Sequence, residues 1–229
     1  MSNADEKAPY WRVNVPEAEW PDSCPDFLLD IKDKGRRVLA TKDEDYHILT
    51  WDEVKTVVKD NDLDAFQRIP SDYRRYLEYT HKIKKEWGSI MNFVILERIR
   101  WKNLTPSGPP FEKAEDIRIL YNDWPYGVDP SIVHLVVWTK FQLEEDPSTG
   151  DLSDRGRAQI DDYVEVTFRG RVPRDHVVWF KNWRGLQSVA AVVHFHVMLY
   201  KPGMAFIAKL TNGDMPLNEK VKRESSLNR

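Results

Sequence analysis

Apolar positions recur at helical spacing in the first part of the chain and alternate like strands later. Thr50 and Glu53 have the T-x-x-E spacing of a capping box, and Val54, Val57 and Val58 follow on one helical face. Over residues 71–87, Tyr73, Tyr76, Leu77, Thr80, Ile83 and Trp87 form a helical stripe that Gly88 ends. Residues 47–50 read as a short strand or as the entry to the first helix. The run 90–101 is rich in β-branched and aromatic residues (Phe93, Val94, Ile95, Ile99) and fits either a strand or a helix resuming after Gly88. A loop with Pro106, Gly108, Pro109 and Pro110 follows. Strands are predicted at 117–121, 132–141, 176–181 and 192–200, with a further one at 205–210. Between the second and third, Ser153 is placed to cap a helix reaching about residue 168. This order predicts an α+β fold, a mainly antiparallel sheet with a crossing helix, preceded by N-terminal helices. Residues 1–45 read as extended or poorly ordered, 46–210 as a single domain and 211–229 as a mobile tail.

Composition changes this picture little. Of 229 residues 41% are hydrophobic, with nine each of Trp, Tyr and Phe, enough for one sizeable core. The formal charge of −3 gives no specific nucleic-acid signal. No apolar stretch approaches membrane-spanning length, so no membrane partner is expected. A single cysteine, Cys24, fits a reducing compartment, and no leader-like apolar run is seen, so the expected location is cytoplasmic, with the nucleus as a second setting.

The candidate chemistry centres on one predicted strand. His194 and His196 alternate with apolar residues and therefore share a face, after the polar pair Gln187-Ser188. Imidazole is a costly core group unless partnered, so the pair implies a hydrogen bond, a metal or a reaction at nitrogen. The plainest reading has one ring bonded to a backbone carbonyl and the other incidental. Other pieces shift the balance: His134 opens His134-Leu135-Val136-Val137-Trp138-Thr139-Lys140, and Trp179-Phe180-Lys181-Asn182-Trp183 precedes the Gln-Ser pair. With Asp123, the three histidines make a mixed nitrogen and oxygen set, so a metal-dependent enzyme is an alternative, although no H-E-x-x-H or cysteine pair is present. The turn Asn122-Asp123-Trp124-Pro125-Tyr126-Gly127 fits either simple aromatic packing on proline or a lid over a ligand. Trp179 and Trp183, flanking Asn182, fit either core packing or a stacking wall for a base or sugar.

In this order the pieces resemble the histidine-triad nucleotide hydrolase and transferase superfamily, whose closing strand has the form H-φ-H-φ-H-φ-φ. The resemblance implies that His194 is the nucleophile and forms a covalent nucleotidyl-histidine, with His196 and His134 as orienting or phosphate-binding groups. It implies that Asn182, Gln187 and Ser188 contact phosphate and that Asp123 holds a ribose. Catalytic residues would thus be His194, His196 and His134, and substrate-binding residues Asp123, Asn182, Gln187, Ser188, Trp179 and Trp183. No cofactor is required; the partner is a small phosphate or nucleotide ligand, and the resemblance implies a homodimer. The chain departs from the pattern at Val192, where the first histidine would stand, at Leu186 in place of a glycine, and by one extra residue between Gln187 and His194.

A second resemblance spans roughly residues 46–210. Thr50-Trp51-Asp52-Glu53-Val54, Pro70-Ser71-Asp72-Tyr73-Arg74-Arg75-Tyr76, Glu86-Trp87-Gly88-Ser89-Ile90, the 122–127 turn, the His134 strand and Trp179-Phe180-Lys181-Asn182-Trp183 look like the fungal N-acetylglucosamine-induced protein family. That resemblance implies a fungal cytosolic protein linked to the amino-sugar response and leaves the reaction open. Two functions follow: a nucleotide or sugar-nucleotide phosphohydrolase or nucleotidyltransferase, or a non-catalytic sugar-nucleotide or phosphate-binding protein.

Overall fold

A computed structural model describes residues 8–182 and 192–227. Helices α1 (Asp33–Leu39), α2 (Trp51–Lys59), α3 (Pro70–Trp87) and α4 (Ile90–Phe93) come first, α4 running on as a π-helical turn over Val94–Ile99. Strands β1 (Ile117–Tyr121) and β2 (Ile132–Thr139) follow, then helix α5 (Asp154–Val164) with a π-helical end at Glu165–Arg169. Strands β3 (Val177–Phe180) and β4 (Val193–Tyr200) and helices α6 (Met204–Leu210) and α7 (Leu217–Leu227) complete the order. The fold is α+β, and its sheet is antiparallel throughout in the order β1-β2-β4-β3.

Local chemistry accounts for the helix ends. The capping box at α2 is complete: Glu53 N donates to Thr50 Oγ1, and the Glu53 carboxylate accepts from Thr50 N at 2.8 Å. Pro70 opens α3 with its φ already helical, and Gly88 closes it at φ +73°. Ser89 then accepts from Asn92 N and starts α4. Residues 90–99 are therefore helical rather than a strand, and Arg100 ends the helix at φ +60°. Ile90, Phe93 and Val94 stand at i, i+3 and i+4 and pack against Ile83, Leu120 and Trp138, so tertiary contact overrides the β-branched composition. Ser153 caps α5 as its position predicts, accepting from Gly156 N at 3.1 Å.

Three segments near the chain ends hold structure that the sequence pattern does not predict. Residues 205–210 lie in helix α6, not a strand: Ile207 is fully buried, and Phe206 and Leu210 pack beside it at helical spacing. The segment read as a mobile tail contains α7, with Leu217 and Asn218 buried. Residues 33–39, within the stretch read as extended, form α1, and Gly35 there lies so close to Tyr73 that a Cβ would meet its hydroxyl at 2.8 Å.

The sheet separates two apolar regions. On one face Ile119, Leu135, Val137, Phe195, Val197 and Leu199 pack against Ile160, Val164 and Phe168 of the α5 region and Ile207 of α6. The other face is covered by α2, α3, α4 and the π-helical turn, in two clusters. Trp138, Val136, Ile83, Phe93 and Leu217 form one. Trp51, Val54, Phe66, Phe180 and Met198 form the other. The histidines lie on this second face.

Phe195 is fully buried in the core between the sheet and α5. Phe195→Ala is expected to lower stability by roughly 3–5 kcal/mol in urea unfolding, whereas Thr50→Ala, which removes only a cap, costs about 0.5–2 kcal/mol.

Candidate functional site

Because β2 and β4 are antiparallel neighbours, their alternation brings the three imidazoles together. Val136 pairs with His196 and Trp138 with His194, which puts His134 diagonally beside His196. His134 Nε2 and His196 Nδ1 are 2.9 Å apart. The other nitrogen of His196 lies 3.2 Å from Asn182 Nδ2, at the end of β3. An amide nitrogen donates, so His196 Nε2 accepts, and its proton resides on Nδ1 and is donated to His134 Nε2. The Asn122 amide nitrogen is 3.2 Å from both nitrogens of His134. Equal distances at that range place it over the ring face and not in line with either lone pair. Phe180 stacks on His196 at 4.9 Å, 9° from parallel.

His194 is held differently. Its Nδ1 donates to the backbone oxygen of Val192 at 2.8 Å, since a carbonyl can only accept. The lone pair is therefore on Nε2. The ring lies 4.5 Å from that of Trp138 and lines a cavity of about 250 Å³. Tyr76, Tyr79, Trp124, Tyr126 and Trp138 supply aromatic walls, and Asn122, Asn182, His196 and Arg68 supply polar groups. The cavity is the seam between the two apolar clusters on this face.

The imidazoles are 3% (His134), 5% (His194) and 6% (His196) exposed, too little for water to support their charge. Burial, with the charge of Arg68 adding to it, pushes the pKa of His134 down to about 3. Burial first, then the neighbouring His134, His194 and Arg68, lowers His196 well below the usual histidine value. Burial also lowers His194, against the bond to Val192 that favours its protonated form. All three are neutral near pH 7.

The remaining sequence candidates divide. Asn182 meets the histidine pair. Asp123 lines the cavity but is tied to Arg98 at 2.7 Å, and one of its oxygens also accepts from Leu217 N. Arg98 forks onto both oxygens of Asp214, at 2.9 and 2.8 Å. Burial opposes the guanidinium charge, but the Asp214 and Asp123 carboxylates outweigh it and hold Arg98 protonated. Asp123 thus fastens the start of α7 over the cavity. Trp179 faces the other way: it packs on the α5 side, with Nε1 donating to Asp161 at 3.1 Å, because residues 179 and 180 alternate across the sheet. It does not wall the cavity. Trp183, Gln187 and Ser188 lie outside the described residues. No group of three or more His, Cys, Asp or Glu among the described residues is placed to hold a metal ion, and the His134–His196 bond already occupies two of the nitrogens.

Sequence reasoning missed Arg68, Tyr126 as a cavity wall, and the inward face of α3. Tyr76 was legible as part of a helical stripe, but nothing in the pattern distinguishes a stripe that fills a core from one that roofs a cavity.

The fold and site define an α+β domain with an imidazole-lined internal cavity on one sheet face. The chain belongs to the family described as "Protein of unknown function (DUF3605)", whose model matches residues 50–200. It is similar to N-acetylglucosamine-induced protein 1 of Candida albicans, 29% identical over 185 residues covering 72% of this chain and 73% of that protein. It is also similar to an uncharacterized protein of Saccharomyces cerevisiae, 28% identical over 166 residues, 69% of this chain and 82% of that one. Among solved structures, the crystal structure of HTC1 matches with a TM-score of 0.55 and 26% identity, covering 72% of this chain and 91% of the other. No described helix is long and apolar enough to cross a membrane.

The buried neutral histidines make stability acid-sensitive. In the unfolded chain each takes a proton near pH 6.5, while the folded chain binds it only at lower pH, well below for His134 and His196. The unfolded state therefore binds more protons in this window, and stability falls as pH drops from about 6.5 toward 3. The slope is about 1.4 kcal/mol per pH unit for each of His134 and His196. Urea midpoints should fall between pH 7 and 5, and His134→Asn should make that fall shallower. A second expectation concerns Arg98. Arg98→Met strands two carboxylates and should cost roughly 3–5 kcal/mol, with faster amide exchange along α7.

Proposed function

We propose that the cavity takes a small phosphate-bearing molecule and that His194 attacks its phosphorus. The observation that carries this reading is the tautomer of His194: Nδ1–H is bonded to the Val192 carbonyl, so the unprotonated lone pair is on Nε2 of a ring that lines the cavity. In the step, Nε2 forms a bond to phosphorus as the bond to the leaving oxygen breaks, and that oxygen takes a proton from solvent water. The ring becomes cationic, and the Val192 carbonyl supports the charge through Nδ1–H. Water then attacks phosphorus, loses a proton and releases the imidazole. A cavity of about 250 Å³ is at or below the small end of ligand sites, roughly 300–1,000 Å³. This favours a compact phosphate ester or the phosphoryl end of a nucleotide. The relative named for induction by N-acetylglucosamine makes amino-sugar phosphates and sugar nucleotides the first probes. The free thiol of Cys24 fits the reducing cytoplasm as the setting.

A second reading, binding without turnover, is supported by His196. Both its nitrogens are engaged, with His134 and Asn182, so it is not poised to protonate a leaving group.

The two readings separate on incubation with phosphorus-labelled nucleotides and amino-sugar phosphates. The nucleophile reading expects an acid-labile, base-stable protein adduct at near-stoichiometric level, absent in His194→Ala. Ligand-induced rise of the melting temperature with no adduct supports binding alone. Turnover that survives in His194→Ala sinks the covalent role.

A further inference from the structure

We propose that Arg68 is the oxyanion seat of this cavity, so that its ligand is a compact organic oxyanion bound with its charged end on that guanidinium; the inference rests on reading the cavity as a ligand site. The charges on the cavity wall support this. Its charged side chains are Lys34, Asp64, Arg68 and Asp123. Lys34 pairs with Asp64 at 2.9 Å, and Asp123 pairs with Arg98. Arg68 has no carboxylate partner among the described residues. Its Nε donates to the backbone oxygen of Trp124 at 2.9 Å, and its guanidinium carbon lies 4.1 Å from the Tyr76 ring centroid and 5.7 Å from that of Tyr126.

These contacts fix the plane of the guanidinium and leave its two terminal nitrogens without a hydrogen-bond partner among the described residues. That edge is a planar fork matched to two oxygens of a phosphate or carboxylate. An arginine held between aromatic rings loses little further freedom on binding. It is half-buried and has no carboxylate partner among the described residues, so an oxyanion can complete its fork. The same charge helps keep His134 and His196 neutral, so it acts on the imidazoles even when no ligand is bound. Arg68 and His194 line one cavity, so an oxyanion on Arg68 is held in the same compartment as the His194 ring. A phosphate ester and a carboxylate share the required chemistry.

The test is calorimetric titration of the full chain with a sugar phosphate, the corresponding neutral sugar, a sugar carboxylate and inorganic phosphate. The phosphate ester should bind the wild type more tightly than the neutral sugar. Arg68→Gln should weaken it roughly 10- to 100-fold, the value of charged hydrogen bonds. Arg68→Lys, which keeps the charge and loses the fork, should fall between. Tight carboxylate binding would assign the ligand to that class with Arg68 in the same role. Should Arg68→Gln fail to fold, competition in the wild type decides: sulfate must displace the sugar phosphate. Absence of binding by every anionic probe, equal binding of charged and neutral sugars, or unchanged affinity in Arg68→Gln overturns the proposal. Adduct formation at His194 is measured alongside. An adduct that persists at unchanged ligand affinity in Arg68→Gln rejects the seat and keeps the nucleophile. Loss of affinity in Arg68→Gln with no adduct in the wild type does the reverse.

Discussion

A one-residue slip between β2 and β4 would undo both halves of this molecule at once. In the observed register Val136 opposes His196 and Trp138 opposes His194. Side chains alternate strictly across a sheet, so the same register that gathers the imidazoles sends Phe195, Val197 and Leu199 into the core beneath α5. A slip would drive the histidines into that apolar core and turn Phe195 toward the cavity. The hydrophobic core therefore sets the site's geometry: the cost of misplacing Phe195 keeps His196 within 2.9 Å of His134. The N-terminal helices complete the arrangement, since they roof the imidazole face and make a cavity of what would otherwise be an open sheet surface.

Enclosure has an electrical consequence. Neighbouring imidazoles in a buried seam cannot all be charged, and burial keeps them neutral. Each donor there meets an acceptor: Asn182 to His196, His196 to His134, and His194 to the Val192 carbonyl. The nearby carboxylates Asp123 and Asp214 do not pair with Arg68. Asp123 and Asp214 are both drawn onto Arg98, where they bind the chain beyond α6 to the turn after β1. A buried ion pair of this kind specifies where α7 lies more than it adds to stability. It also ties Asp123 to Arg98, and Arg68 has no carboxylate partner among the described residues.

Much of the fold was legible because it rests on local rules. The T-x-x-E box at Thr50, the stop at Gly88, the cap at Ser153 and the alternating strands 117–121 and 193–200 each follow from a few adjacent residues. The failures were non-local. Val94, Ile95 and Ile99 have strand-like composition, but their helical state is set by packing against β1 and β2 far along the chain. Likewise α6 and α7 look like a weak strand and a polar tail until Ile207 and Leu217 meet their clusters. In the site, the histidines and Asn182 were visible because polar groups in apolar strands are conspicuous. Arg68 was not, because it sits before Pro70 in an irregular stretch where an arginine is unremarkable. Only the folded chain shows that its partner is a pair of tyrosines and a carbonyl, with no acid among the described residues.

The valine at position 192 can now be weighed physically. There the chain has an apolar side chain that is 3% exposed and packed with Ile83, Phe93 and Trp138. It serves that cluster and is not part of the cavity lining. The acceptor for His194 Nδ1 is the backbone oxygen of residue 192, which any residue supplies. The tautomer of His194 is therefore independent of the side chain at 192, and so is the lone pair at Nε2. Polar contacts for a bound anion would come from elsewhere on the wall, where Arg68, Asn122 and Asn182 stand. On the proposed reading the sheet supplies the nucleophile and the irregular stretch before α3 supplies the charge.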